Sequence, residues 1–164
     1  MASLHYIELT LLLGTGATAL LDTWLFVLGR LGVPTLNFAF IGRWVGHLSR
    51  GKFAHAAIGR ATAIRGELAL GWVTHYAIGI GFAAALLGWQ GLAWARHPTL
   101  GPALAVGVLT VLAPLFVMQP AMGAGFASSK TPTPARNVLR SVANHTVFGL
   151  GLYLTSLLVA QFLR

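Results

Sequence analysis

Four side chains could do chemistry inside an otherwise apolar chain: Asp22, Glu67, His75 and His145. His75 sits in GWVTHYAIGIG, with Trp72, Val73, Ala77, Ile78 and Ile80 around it and no charge nearer than Glu67. Asp22 closes GATALLD in the first apolar run, and His145 opens HTVFGLGLYL in the last. Two imidazoles and two carboxylates make an N/O donor set that suits zinc, iron or manganese. Two histidines on facing helices suit a haem held from both sides. Proton relay is the third chemistry, because histidine titrates near neutrality and burial raises a carboxylate towards it. Local spacing selects none of the three: H-E-x-x-H is absent.

The elements that must position these groups follow from composition. The chain has 164 residues, 56% of them hydrophobic and only 9% charged, against roughly 25% charged in a soluble domain. Such a chain belongs in a bilayer. A spanning helix needs about 20 mostly apolar residues. Four stretches meet that need, about 5–28, 64–89, 100–118 and 137–162. The expectation is an all-α membrane bundle of four transmembrane helices in one domain, 1–164. Its N-terminus, MASLHYIELTLLLG, carries Glu8 and no basic segment, so it reads as a retained helix. Pro114 should kink the third span and Pro120 should end it. Pro132 and Pro134 suit an extended approach to the fourth.

Residues 36–65 are too charged to span. Ile41, Trp44, Val45 and Leu48 recur at helical spacing, with Arg43, His47 and Arg50 facing elsewhere. This predicts an interfacial amphipathic helix after the first span, capped by Asn37. From about 53 onward the segment is expected to run on into the second span.

Side chains four apart share a helix face. The series through His75 is Glu67, Gly71, Gly79 and Ala83; through His145 it is Asn137, Ser141 and Gly149; Asp22 has Thr18 before it. Ionisable groups in a bilayer face the bundle interior. The stripes therefore predict that Asp22, His75 and His145 line one polar pocket, with Glu67, His47 and Gln119 near its mouth. A rise of about 1.5 Å per residue places Asp22 roughly 12 Å from Arg30, His75 roughly 15 Å from Arg65 and His145 roughly 7–8 Å from Arg140. The pairs Gly14/Gly16, Gly79/Gly81 and Gly149/Gly151 read as close helix contacts. In the connecting segments, Arg43, His47, His55 and Lys130 are the candidates for a lid or a lipid-headgroup cradle. The plainer readings are a solvated helix face for the histidines and an ordinary turn around Lys130.

Charge sets the expected topology. Nine of the eleven Lys and Arg residues lie in 30–65 and 119–140, and only Arg96 and Arg164 lie elsewhere. By the positive-inside rule both basic segments are cytoplasmic and both termini face outward. The net charge of +8, clustered beside apolar runs, suits anionic headgroups and not nucleic acid. With no cysteine, thiolate metal sites, disulfides and cysteine nucleophiles are excluded. No G-x-S-x-G occurs, and no dinucleotide fingerprint with its strand.

GATALLD (16–22), NFAFIGRWVGH (37–47), GWVTHY (71–76), PTLGPAL (98–104), MQPAMGAGFASS (118–129) and HTVFGLGLYL (145–154) together resemble a family of small four-span bacterial inner-membrane proteins, a domain of unknown function. The resemblance covers nearly the whole chain. It implies an inner-membrane location and gives Asp22, Arg43, His47, His75, Gln119 and His145 the standing of motif positions. It implies no activity. The first functional expectation is a polar pocket that binds a metal ion or haem through Asp22, His75 and His145. The alternatives are a proton-coupled small-solute transporter or channel acting as a homo-oligomer, a lipid-active enzyme, and a scaffold subunit.

Overall fold

The computed structural model describes residues 2–162; Arg164, which the sequence reading counted outside the two basic segments, is not among them. The described residues form helices and connecting turns, without strands. Helix α1 (Ala2–Arg30) is unbroken by proline and has Arg30 in its last turn, where a cation suits the helix dipole. Helix α2 (Phe38–Leu48) starts at Asn37, whose side chain accepts the Ala39 N–H at 3.0 Å as expected of the cap. Helix α3 (Glu67–Gln90) opens on a carboxylate, again favourable to the dipole. Helix α4 (Leu100–Leu109) is followed by a π-helical turn at Pro114–Met118 and a short helix α5 (Gln119–Ala121). Helix α6 (Pro134–Ala160) completes the chain.

Four helices are long and apolar enough to cross a membrane: His5–Arg30, Glu67–Gln90, Leu100–Ala121 and Pro134–Ala160. Large apolar side chains are exposed along them, among them Leu12, Phe26, Val73, Leu109, Leu139 and Leu158. The chain alone leaves these surfaces uncovered, which is the pattern of helices solvated by lipid.

Three boundaries differ from the sequence reading. Residues 53–66 do not run into the second span; they form an irregular segment with one 3-10 turn at Ile58–Arg60. The cause is local. Arg43 Nη1 takes the carbonyls of Ile58, Gly59 and Ala61, and Gly66 adopts φ +77°. Pro114 does break the third span, into a π turn, but Pro120 does not end it: helix continues to Ala121. The fourth helix starts at Pro134, three residues early, because a proline in the first turn forgoes an N–H that has no partner there.

The chain divides into two compact units, of which the first spans 1–34, 76–110 and 144–164 and the second 35–75 and 111–143. In the first, Leu13, Leu86, Leu87 and Leu152 are fully buried together with Ala17, Ala83 and Ala103. Glycines set the helix spacing here. A Cβ on Gly14 would strike the Ile80 backbone, one on Gly107 would strike Gly149, and one on Gly151 would strike Ala17. Gly16 meets Thr155 and Gly79 meets Thr18, while Gly81 has open space. Five of the six paired glycines are therefore packing positions, where close approach of backbones replaces the hydrophobic effect that lipid removes.

The second unit is built around Ile41, Ile58 and Met122, with Phe38, Trp44 and Met118 against them. Here α2 meets the start of α3 at two glycines, Gly42 against the Glu67 carbonyl and Gly71 against the Phe38 carbonyl. The irregular segment is tied to the end of the third span by His55 N–H to Ala121 O at 2.8 Å and Ile58 N–H to Met122 O at 2.9 Å.

Candidate functional site

Within the first unit three pairs of polar side chains bridge four helices and make up its polar layer. On α3, the Tyr76 hydroxyl donates to Asp22 Oδ2 of α1 at 2.8 Å. Half a turn along α1, Trp24 Nε1–H donates to Asn144 Oδ1 of α6 at 3.0 Å. The next residue of α6, His145, has its Nδ1 at 3.0 Å from Thr110 Oγ1, at the end of α4. Phe82 lies against the His145 ring, with centroids 6.3 Å apart.

The hydrogen positions at His145 follow from its partner. Thr110 Oγ1 also lies 2.7 Å from the Gly107 carbonyl. A hydroxyl has one proton and a carbonyl only accepts, so the Thr110 proton points to Gly107. His145 Nδ1 must then donate to Thr110, which leaves Nε2 of the neutral ring as the acceptor.

The second unit holds the other sequence candidates. Arg43 grips Glu67 with both prongs, Nε to Oε2 at 2.8 Å and Nη2 to Oε1 at 2.7 Å. Glu67 Oε2 also accepts the Ile64 N–H at 2.9 Å. Glu67 beside Arg43 holds the guanidinium above its ordinary pKa. The guanidinium lies 5.4 Å from the Phe40 ring centroid. Neither Arg65 nor Arg60 is the partner of Glu67, against the local pairing that sequence order suggests. Arg43 instead arrives from α2, one helix away.

His47 and His55 are not on a solvated face. Both are buried, at 6% and 7% exposure, and their rings lie 4.9 Å apart. His47 Nε2 is 2.9 Å from the Thr62 carbonyl. Gln119 Oε1 accepts the Ser128 hydroxyl at 2.9 Å. Lys130 is exposed, and its backbone N–H closes a turn on Ala124 O at 2.9 Å. That turn carries Ala127 and Ser128 at positive φ, 47° and 61°. His75 packs among aromatic rings, 4.7 Å from Phe38 and 6.0 Å from Trp72.

The structure thus places Asp22 and His145 in one unit and His75, Glu67, His47, His55, Arg43, Gln119 and Lys130 in the other. Asp22 and His145 hold different partners, Tyr76 and Thr110. Among the described residues, no three His, Asp or Glu side chains gather as a metal ion needs. Sequence reasoning overlooked Tyr76, Trp24, Asn144 and Thr110. Two of these adjoin a residue it had singled out: Tyr76 follows His75, and Asn144 precedes His145.

The chain belongs to the DUF2938 family of proteins of unknown function, which it matches over residues 11–159. Neither the curated proteins nor the solved structures give a match.

Proposed function

We propose that this protein moves protons across the membrane together with a small solute, through the polar layer of its first unit. The observation that carries this reading is the Asp22–Tyr76 pair within two spanning helices. A carboxylate in a spanning segment is costly, and such groups mark ion and proton pathways. Packing alone needs no acid there. Here the acid belongs to a layer that also contains an imidazole with its Nε2 as acceptor and two exchangeable hydroxyls.

The metal or haem reading draws less from the geometry. A metal ion needs three or more convergent donors in a typical site, and the described residues offer no such group. Four spans enclose little pathway, so the working form is a homo-oligomer. The basic segments 30–65 and 119–140 lie on the cytoplasmic side of a bacterial inner membrane, against anionic headgroups.

The test is proton flux in proteoliposomes containing the purified chain. A pH-sensitive dye reports acidification of the lumen under an imposed gradient, with candidate solutes added in turn. The wild type should acidify faster than empty vesicles, and Asp22→Asn should return to the empty-vesicle rate with its melting temperature retained. Equal flux for wild type and Asp22→Asn would overturn the proposal.

A further inference from the structure

We propose that His47 and His55 form an acid-sensitive latch, which holds the segment 53–61 against residues 121–123 and releases it when a ring takes a proton. The latch lies wholly in the second unit and does not depend on the transport reading.

The two rings meet edge to face, 4.9 Å apart, and both are more than nine-tenths buried. His47 Nε2 faces the Thr62 carbonyl, so it carries the hydrogen, and the neutral ring keeps Nδ1 as an acceptor. His55 Nε2 is buried with no hydrogen-bond partner. The same residue anchors the segment through its backbone, since its N–H donates to Ala121 O at 2.8 Å. Ile58 N–H to Met122 O, and Gly123 packed on the Ala56 carbonyl with φ +93°, complete the clasp. The orphaned ring nitrogen therefore sits at the fastening itself.

The surrounding charges oppose an imidazolium. Helix α2 brings His47, and Lys52 lies just before the segment. The start of α3 brings Glu67, but Arg43 engages both of its oxygens. Residues 119–123, Gln-Pro-Ala-Met-Gly, bring no titratable group. A proton on His55 would meet neither a free carboxylate nor an acceptor at Nε2, and would face Lys52 and His47. Opening the segment gives that proton water. Burial, then Lys52 and His47, push the His55 pKa below its ordinary 6.5. The open form consequently binds the proton more tightly. The clasp is at full strength above about pH 6.5 and weakens as pH falls from there towards the depressed value, by at most about tenfold per pH unit for one histidine.

The experiment is amide hydrogen exchange with mass spectrometry on the full chain in phosphatidylcholine nanodiscs, at pH 7.5, 6.5 and 5.5. Rates are corrected for the intrinsic pH dependence of exchange. Protection across 53–61 should fall by up to about tenfold between pH 7.5 and 5.5, nearly all of it below pH 6.5, while α1 stays unchanged. His55→Phe, which fills the space and cannot be protonated, should keep the protection and lose the pH step. His55→Gln serves where the phenylalanine variant does not fold. A third measurement needs no variant: the ring 15N titration of His55 should have its midpoint below 6.5, at the low-pH end of the fall in protection. A flat wild-type profile, a step that survives His55→Phe or His55→Gln, or a ring midpoint at or above 6.5 would each overturn the latch.

Discussion

The contact between α4 and α6 gives the polar layer its most demanding test, through Gly107→Ala. A Cβ at 107 would lie 2.5 Å from Gly149 Cα, and 2.7 Å from both the Gly149 nitrogen and the His145 carbonyl oxygen. Ordinary contact starts at 3.4 Å, so the nearest atom must retreat by about 0.9 Å. All three obstacles are backbone, and no rotamer relieves them. Overpacking of this kind costs about 1–3 kcal/mol, a large part of the roughly 5–15 kcal/mol that holds a domain together. The same displacement reaches the layer. Thr110 follows one turn after Gly107, and a full 0.9 Å separation there would take its 3.0 Å contact with His145 Nδ1 to about 3.9 Å. That is no longer a hydrogen bond. Thermal melting in detergent should show the loss of stability, and the ring 15N spectrum of His145 should lose the fixed Nδ1–H tautomer. The control is Gly81→Ala, where a Cβ meets nothing within 4 Å. That change should leave His145 untouched and gain up to about 1 kcal/mol of helix propensity. If Gly107→Ala melts with the wild type and His145 keeps its tautomer, the two helices do not meet at this glycine and the layer is wrongly assembled.

Arg43→Lys should loosen the segment it holds. One ammonium cannot grip both Glu67 oxygens and three carbonyls as the guanidinium does. Limited proteolysis should open new cleavage within 58–64, and an unchanged digest would show that the ion pair does not organise those residues. Ala127→Gly should raise the melting temperature, because a left-handed alanine at φ 47°, ψ 42° costs about 1–2 kcal/mol that glycine largely avoids. A lower melting temperature would mean that the loop gains nothing from relief of its backbone.

The four spans were legible because length and hydropathy decide them, and the α2 cap was legible because Asn37 precedes an amphipathic run. The inward stripes were also legible: Gly71, Gly79 and Ala83 of α3 and Gly149 of α6 all contact other helices or are buried. What escaped was pairing across distance. Nothing near Glu67 in the chain names Arg43 as its partner, 24 residues away. The same holds for Trp24 and Asn144, separated by 120 residues. His47 misled for a different reason. Its neighbours Arg43 and Arg50 made that face of α2 look solvated, yet Arg43 turns inward to Glu67 and His47 is buried with His55.

The direction of each hydrogen bond says more about the first unit than the residue types do. Tyr76 is the donor to Asp22, so the carboxylate oxygen it meets needs no proton of its own. His145 is the donor to Thr110, and Thr110 is the donor to Gly107. The donor chain on α4 therefore ends on a backbone carbonyl. Under the proposed transport, a proton arriving at His145 Nε2 leaves through Nδ1 only if the Thr110 hydroxyl turns from Gly107 to donate its own proton to another acceptor. At the end of α4 the chain passes into Pro114, which has no N–H to give the Thr110 carbonyl. The break in the third span and the hydroxyl through which the proposed relay would run are thus four residues apart in the chain, so the proline removes a helical partner from the same residue that contacts His145.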